Sequence, residues 1–285
     1  VKNKGERVDQ HRPIQNLQLG KSIRVHLVCS LLLVPLALAC APGVSKGKKL
    51  DGRVTSCTFA PDQSATFIGT WQRARVPVAV TQDFSANEKT IIAQAFDVWN
   101  SHYQAAGGFQ AFDYGGSAAN FRVVTRSTSP TQDQLCADSN RIIDAAGTAY
   151  TGTVVIYKKG ADWAYGNQVL ALTTSCATVT GTGQLRPFKN AMIELNYKDF
   201  YGTGQDRPNL LATVGHEIGH FGGLNHTCEP GSTTAGIPNC LAQLPIDYVR
   251  ALMFPVVSLN NPVTAINSND QGRGNCLFSG SWPPR

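Results

Sequence analysis

Residues 216–226 read His216-Glu217-Ile218-Gly219-His220-Phe221-Gly222-Gly223-Leu224-Asn225-His226, and this stretch decides both fold and chemistry. On a helix, positions four apart sit one above the other on one face. His216 and His220 can therefore both reach one ion, and Glu217 beside them can reach a water molecule there without binding the metal. A third ligand has to come from beyond the helix, so the chain must turn sharply. Gly222-Gly223 ends the helix, and Gly223 tolerates positive φ at no steric cost. His226 then completes three nitrogen ligands and leaves one coordination position open, which is the catalytic arrangement for zinc; structural sites are closed. A bare helical His pair is more often an ordinary buried or surface pair. The added Glu217, Gly223 and His226 at fitted spacing favour the metal.

Upstream of this helix the chain alternates between strand and helix signals. Val-Pro-Val-Ala-Val within residues 75–81 predicts a strand whose proline marks a start or an edge. Ser85 and Glu88 form a capping-box pattern, and Ile91, Ile92, Ala95, Phe96, Val98 and Trp99 recur at helical spacing. A helix is expected over 86–104, ending before Gly107-Gly108. Residues 121–124, 152–157, 168–174 and 191–196 predict four further strands. Asp206 and Pro208 are expected to start the helix that carries His216, with Leu210, Leu211, Val214 and Ile218 on its apolar side. One twisted sheet with two main helices follows, an α+β chain closed by a small irregular part from residue 227. Asn260-Asn261 and residues 272–275 read as loop ended by Cys276.

The front of the chain reads as an export segment. Lys21 and Arg24 precede an apolar run over 25–39 that closes on Ala37-Leu38-Ala39-Cys40. A basic flank, a short apolar run and small residues at the exit describe a secretory signal, and the run is too short to span a membrane comfortably. Residues 1–39 are assigned to this segment, 40–69 to a tether, and 70–285 to the folded domain. The formal charge of +6 carries no nucleic-acid footprint, because residues 1–39 hold +4 of it and the body has no long basic run.

Export favours disulfides. Ala37-Leu38-Ala39-Cys40 resembles the lipobox of bacterial lipoproteins, which makes Cys40 a lipidation candidate. With Cys29 leaving in the signal and Cys40 lipidated, six cysteines remain for three bridges. The 12-residue separation of Cys228 and Cys240 suggests a local bridge behind His226. Cys136 with Cys176, and Cys57 with Cys276, is one choice among 15 connectivities.

Downstream, Ala251-Leu252-Met253-Phe254-Pro255 joins the histidine stretch in resembling the metzincin clan of metallopeptidases, most closely its matrixin branch. The resemblance covers residues 70–256 and is strongest at the two motifs. It implies a metzincin-like, mainly parallel twisted sheet with an upper part to about 226 and a lower part over 227–285. It further implies one catalytic Zn2+ on His216, His220 and His226, Glu217 as general base, and Met253 beneath the imidazoles. The activity implied is hydrolysis of protein or peptide substrates outside the cell or in its envelope, by a monomer that meets the membrane only through a lipid anchor. The substrate would lie extended along a sheet edge near residues 169–174.

The departures from the matrixin pattern are specific. Thr227 stands where Ser is usual. Only His102 remains outside the motif in the body of the chain, so no second structural zinc is expected; the sequence carries no reading on calcium. Cys57 lacks the neighbours of the matrixin inhibitory motif. Phe254-Pro255 supplies no tyrosine ligand after Met253. The competing reading is a non-catalytic, zinc-stabilised surface binding lipoprotein, for which a base at position 217 would have no use.

Overall fold

The computed structural model describes residues 8–10, 54, 57–125, 128–137, 142–143, 147–150, 153–178, 185–201, 209–258 and 260–279. The apolar run over 25–39, Cys40 and the residues that follow to 53 lie outside the described residues.

The strands are β1 (Val8–Gln10), β2 (Val76–Thr81), β3 (Phe112–Asp113), β4 (Arg122–Val124), β5 (Ile142–Ile143), β6 (Ala149–Tyr150), β7 (Val154–Lys159), β8 (Ala171–Ala177) and β9 (Phe188–Asn196). The helices are α1 (Ala86–Gly107), α2 (Gln132–Cys136), α3 (Leu210–Gly222), α4 (Ile246–Val249) and α5 (Ser268–Phe278). A mixed, mostly parallel sheet runs β1-β8-β9-β7-β2-β3, with β4 also on β2. β2, β7 and β9 are parallel neighbours, whereas β8 runs antiparallel to β9.

Parallel strands bury both faces, and the side-chain alternation shows how. Val76, Val78 and Val80 with Val154, Ile156, Ile193 and Leu195 point into the main core, where Ile92, Phe96 and Trp99 of α1 and Val214 and Ile218 of α3 meet them. Ala79, Val155, Tyr157 and Met192 point to the other face and pack with Leu135. The Cys136–Cys176 disulfide pins α2 over that second face. The expected capping box of α1 is made in full by Ser85 and Glu88, and Gly108 at φ 71° ends the helix three residues beyond the expected stop.

Several expectations need correction. The strand expected over 168–174 begins at Ala171, because Val169 N–H closes a turn onto Gly166. It is also not a free edge: Val8–Gln10 pairs antiparallel with Thr174, Ser175 and Cys176, so β8 lies inside the sheet there. The expected start of α3 at Asp206 and Pro208 lies outside the described residues; the helix is capped by Asn209, whose side chain accepts from Ala212 N–H. The end read as loop is helix α5, started by a capping box between Asn267 and Asp270. Its glycines mark close approach rather than a loop, since a Cβ on Gly272 would strike the carbonyl of Thr58 and one on Gly274 would press on the Tyr103 hydroxyl.

The tether expected over 40–69 is packed against the domain over its second half. Gln63 and Thr66 are fully buried, Cys57 is bonded to Cys276, and Val54 N–H donates to Phe278 O at 2.9 Å. The third disulfide joins Cys228 to Cys240. Three such bridges suit an oxidising compartment. Among the described residues no helix is long and apolar enough to cross a membrane.

Candidate metal centre

Helix α3 is apolar nearly all round and runs through the middle of the domain; from Ala212 to Gly222 every residue is buried. Its position is set by close contacts that only glycine permits. A Cβ on Gly219 would run into Met253 Sδ and lie 3.0 Å from Trp99 Cζ2. Trp99 Nε1 donates to Gly215 O at 2.9 Å, and Trp71 Nε1 to Phe221 O at 2.9 Å, so two indoles hold the helix by its backbone.

The turn after the helix depends on Gly223. Its φ is 123°, and a Cβ there would collide with Gly69 O. From that point the chain is stitched to the segment before β2: Ile68 N–H donates to Gly223 O, and Asn225 N–H to Thr66 O, both at 2.9 Å. Residues 66–69 thus form a rail that delivers His226 opposite the two helical histidines.

The three rings meet. Nε2 of His220 lies 3.1 Å from Nε2 of His216 and 3.2 Å from Nε2 of His226. All three residues are buried. The tautomers of two rings follow from their partners. His216 Nδ1 bonds Leu252 O at 2.6 Å and His220 Nδ1 bonds Leu224 O at 2.8 Å. A carbonyl only accepts, so each Nδ1 carries the hydrogen and each neutral ring turns its Nε2 lone pair inward. Facing lone pairs at that separation repel unless something positive lies between them. A tetrahedral ion about 2.0–2.1 Å from each nitrogen would set its ligand atoms about 3.3 Å apart, so the donor set fits such an ion. Burial pushes the His220 pKa down to about 4 despite its bond to Leu224 O, which keeps the ring in the ligating neutral form. Among the described residues this is the one cluster of three or more His, Cys, Asp or Glu side chains placed to hold a metal.

Met253, with its Sδ against Gly219 of α3, is fully buried. The carbonyl orienting His216 comes from the residue before it, and Met253 O accepts from Thr227 N–H, next to His226, at 2.9 Å. Thr227 Oγ1 donates to Tyr248 O at 3.1 Å. Glu217 is buried too. Burial raises its pKa, hydrogen bonds from Thr173 draw it partly back, and the carboxyl stands at about 7. Thr173 Oγ1 reaches Glu217 Oε2 at 2.5 Å. His102 stands apart, its Nε2 paired with Asn275 Oδ1 at 2.8 Å.

His216, Glu217, His220, Gly223, His226 and Met253 are therefore brought together. The six cysteines form the three bridges already described, and Cys40 lies outside the described residues. Thr173, Gly219, Asp270 and Arg273 were not singled out from the sequence. A buried polar residue on the helix-facing side of a strand would have pointed to Thr173; the i, i+3 spacing of Asp270 and Arg273 was hidden by the glycines around them.

No family model matches this chain, and no curated protein matches it.

Proposed function

We propose that this chain is a zinc-dependent endopeptidase of the metzincin type, exported and held at the cell envelope by a lipid on Cys40, with residues 1–39, β1 included, lost on processing and the β8 edge at Thr174–Cys176 thereby freed. The observation that carries the reading is the convergence of three buried imidazole Nε2 atoms beside a buried carboxylate. His216, His220 and His226 would hold the ion, and Met253 would support the rings from below. Such an ion supplies Lewis acidity, making water a better nucleophile and polarising a carbonyl. Glu217 takes the proton that water gives up as it attacks the peptide carbonyl, then passes it to the leaving amine. Thr173 holds the Glu217 carboxylate in place through Oε2. Burial of the site excludes bulk water and strengthens each of these interactions. The basic flank at Lys21 and Arg24, the apolar run and the three disulfides support export.

The test uses purified protein with a denatured protein substrate, measured with and without chelator, beside Glu217→Ala. Cleavage that stops with chelator, returns with zinc and is lost in the variant supports the reading. Wild type that binds zinc one-to-one yet cleaves nothing favours the binding-module reading instead.

A further inference from the structure

The strongest unassigned feature is an ion pair buried behind the metal centre. Arg273 and Asp270, one turn apart on α5, are both fully buried, with Nη2 3.7 Å from Oδ1. Desolvating two charges costs several kcal/mol, and an apolar pair of similar volume is often as stable or more so. A contribution to stability alone therefore accounts poorly for this pair. What a charged pair adds is direction, through hydrogen bonds of fixed geometry, and here both charges are directed at the loops that present and orient the histidines.

On one side, Asp270 Oδ2 accepts from Leu252 N–H at 2.7 Å and Oδ1 from Met253 N–H at 3.2 Å. That fixes the peptide whose carbonyl receives the His216 Nδ1 hydrogen. On the other side, Arg273 Nη1 donates to Asn225 O at 3.0 Å and to His226 O at 3.4 Å. It also donates to Thr66 Oγ1 at 3.2 Å, on the rail that positions the same loop. Nε is held by Asn269 Oδ1 at 3.0 Å, so the guanidinium plane is set from its own helix. His226 needs such support most, because it alone of the three stands on a loop rather than on α3.

We propose that Arg273, anchored by Asp270, is a positioning residue that sets the distance between the loop histidine His226 and the helical histidine His216 around one ion. The inference rests on the metal-centre reading. Groups that orient metal ligands in this way usually change metal affinity 10–100-fold when removed. An arginine is suited to the task because its planar fork serves several acceptors at once, which a lysine ammonium on one flexible stem does not.

The test uses the full chain, stripped of metal and titrated with zinc against a chelating dye, then loaded with cobalt for its visible spectrum. Three variants are compared with wild type: Arg273→Met, Arg273→Lys and the double variant Asp270→Asn/Arg273→Met. The double variant leaves no unpaired buried charge, so it separates site geometry from folding, which circular dichroism monitors. Expected are zinc binding 10–100-fold weaker in the folded double variant, an altered cobalt spectrum, and partial recovery in Arg273→Lys. A folded double variant with wild-type zinc affinity and an unchanged cobalt spectrum overturns the positioning role while leaving the metal centre standing. Wild type that binds no metal overturns the metal-centre reading, and this proposal with it.

Discussion

Thr173 donates its hydroxyl to Glu217 Oε2 at 2.5 Å and to Glu217 O at 3.2 Å, tying the middle of β8 to the helix that carries two histidines. Sheet and site helix thus meet through the buried Glu217 carboxylate, and not only through apolar packing.

Replacing Thr173 with Val keeps the shape and removes the donor. Hydrogen bonds to charged groups contribute about 1.5–3 kcal/mol, so kcat/KM should fall roughly tenfold or more. Thr173 lowers the Glu217 pKa against the larger upward push of burial. Its loss raises that pKa further and moves the acidic limb of the pH profile to higher pH. Zinc affinity should not change. A pH–rate series on a peptide substrate checks this; an acidic limb that moves down contradicts it.

Metal-free protein should show opposing pH effects from two buried groups. Glu217 titrates near 7 in the fold against an ordinary 4.5. Its favourable term is fully present below pH 4.5 and is lost as pH rises toward 7, by about 1.4 kcal/mol per unit at most. His220 titrates near 4 against an ordinary 6.5, so its term is present above pH 6.5 and is lost as pH falls toward 4. Between 4.5 and 6.5 the two oppose each other. Glu217→Gln removes only the first. In chelator, calorimetry should show the variant gaining Tm relative to wild type as pH rises from 4.5 to 7.

Two glycines of α3 should respond differently to alanine. At Gly219 a Cβ meets Met253 Sδ and Trp99, with a cost of about 1–3 kcal/mol and weaker zinc binding. At Gly215 the nearest atom is a flexible Leu252 methyl at 3.3 Å, and alanine favours the helix by up to about 1 kcal/mol, so stability should be kept or improved. Denaturant titration of both variants decides it; equal losses would contradict the packing argument.

The disulfides should differ in weight. Cys228–Cys240 closes a separation of 12 residues and Cys57–Cys276 one of 219. By chain entropy, removal costs about 3 kcal/mol for the first and more, up to about 5 kcal/mol, for the second. Double serine variants compared by thermal unfolding should show the larger loss for the Cys57 and Cys276 pair.

The three histidines of the candidate metal centre were legible because metal chemistry would force a fixed spacing on one helix and one turn. The sheet was legible where strands alternate cleanly, as in 75–81 and 191–196. Two things were hidden. Helix α5 carries glycines at 272 and 274 for contacts with Thr58 and Tyr103 that lie far away in sequence, so local propensity pointed to a loop. The segment over 57–69 fell within the expected tether because its role is made by backbone bonds to residues 223–225, which leave no periodic pattern in its side chains.

The bond from Val54 N–H to Phe278 O brings residue 54 and the end of α5 side by side, with Cys57–Cys276 sealing the same seam. A fusion partner joined directly ahead of residue 54 and one joined directly after Phe278 would therefore leave the molecule from one spot. A short bridge across that seam would let new ends be opened elsewhere, for instance at the exposed turn around Gly231, without cutting any strand or helix.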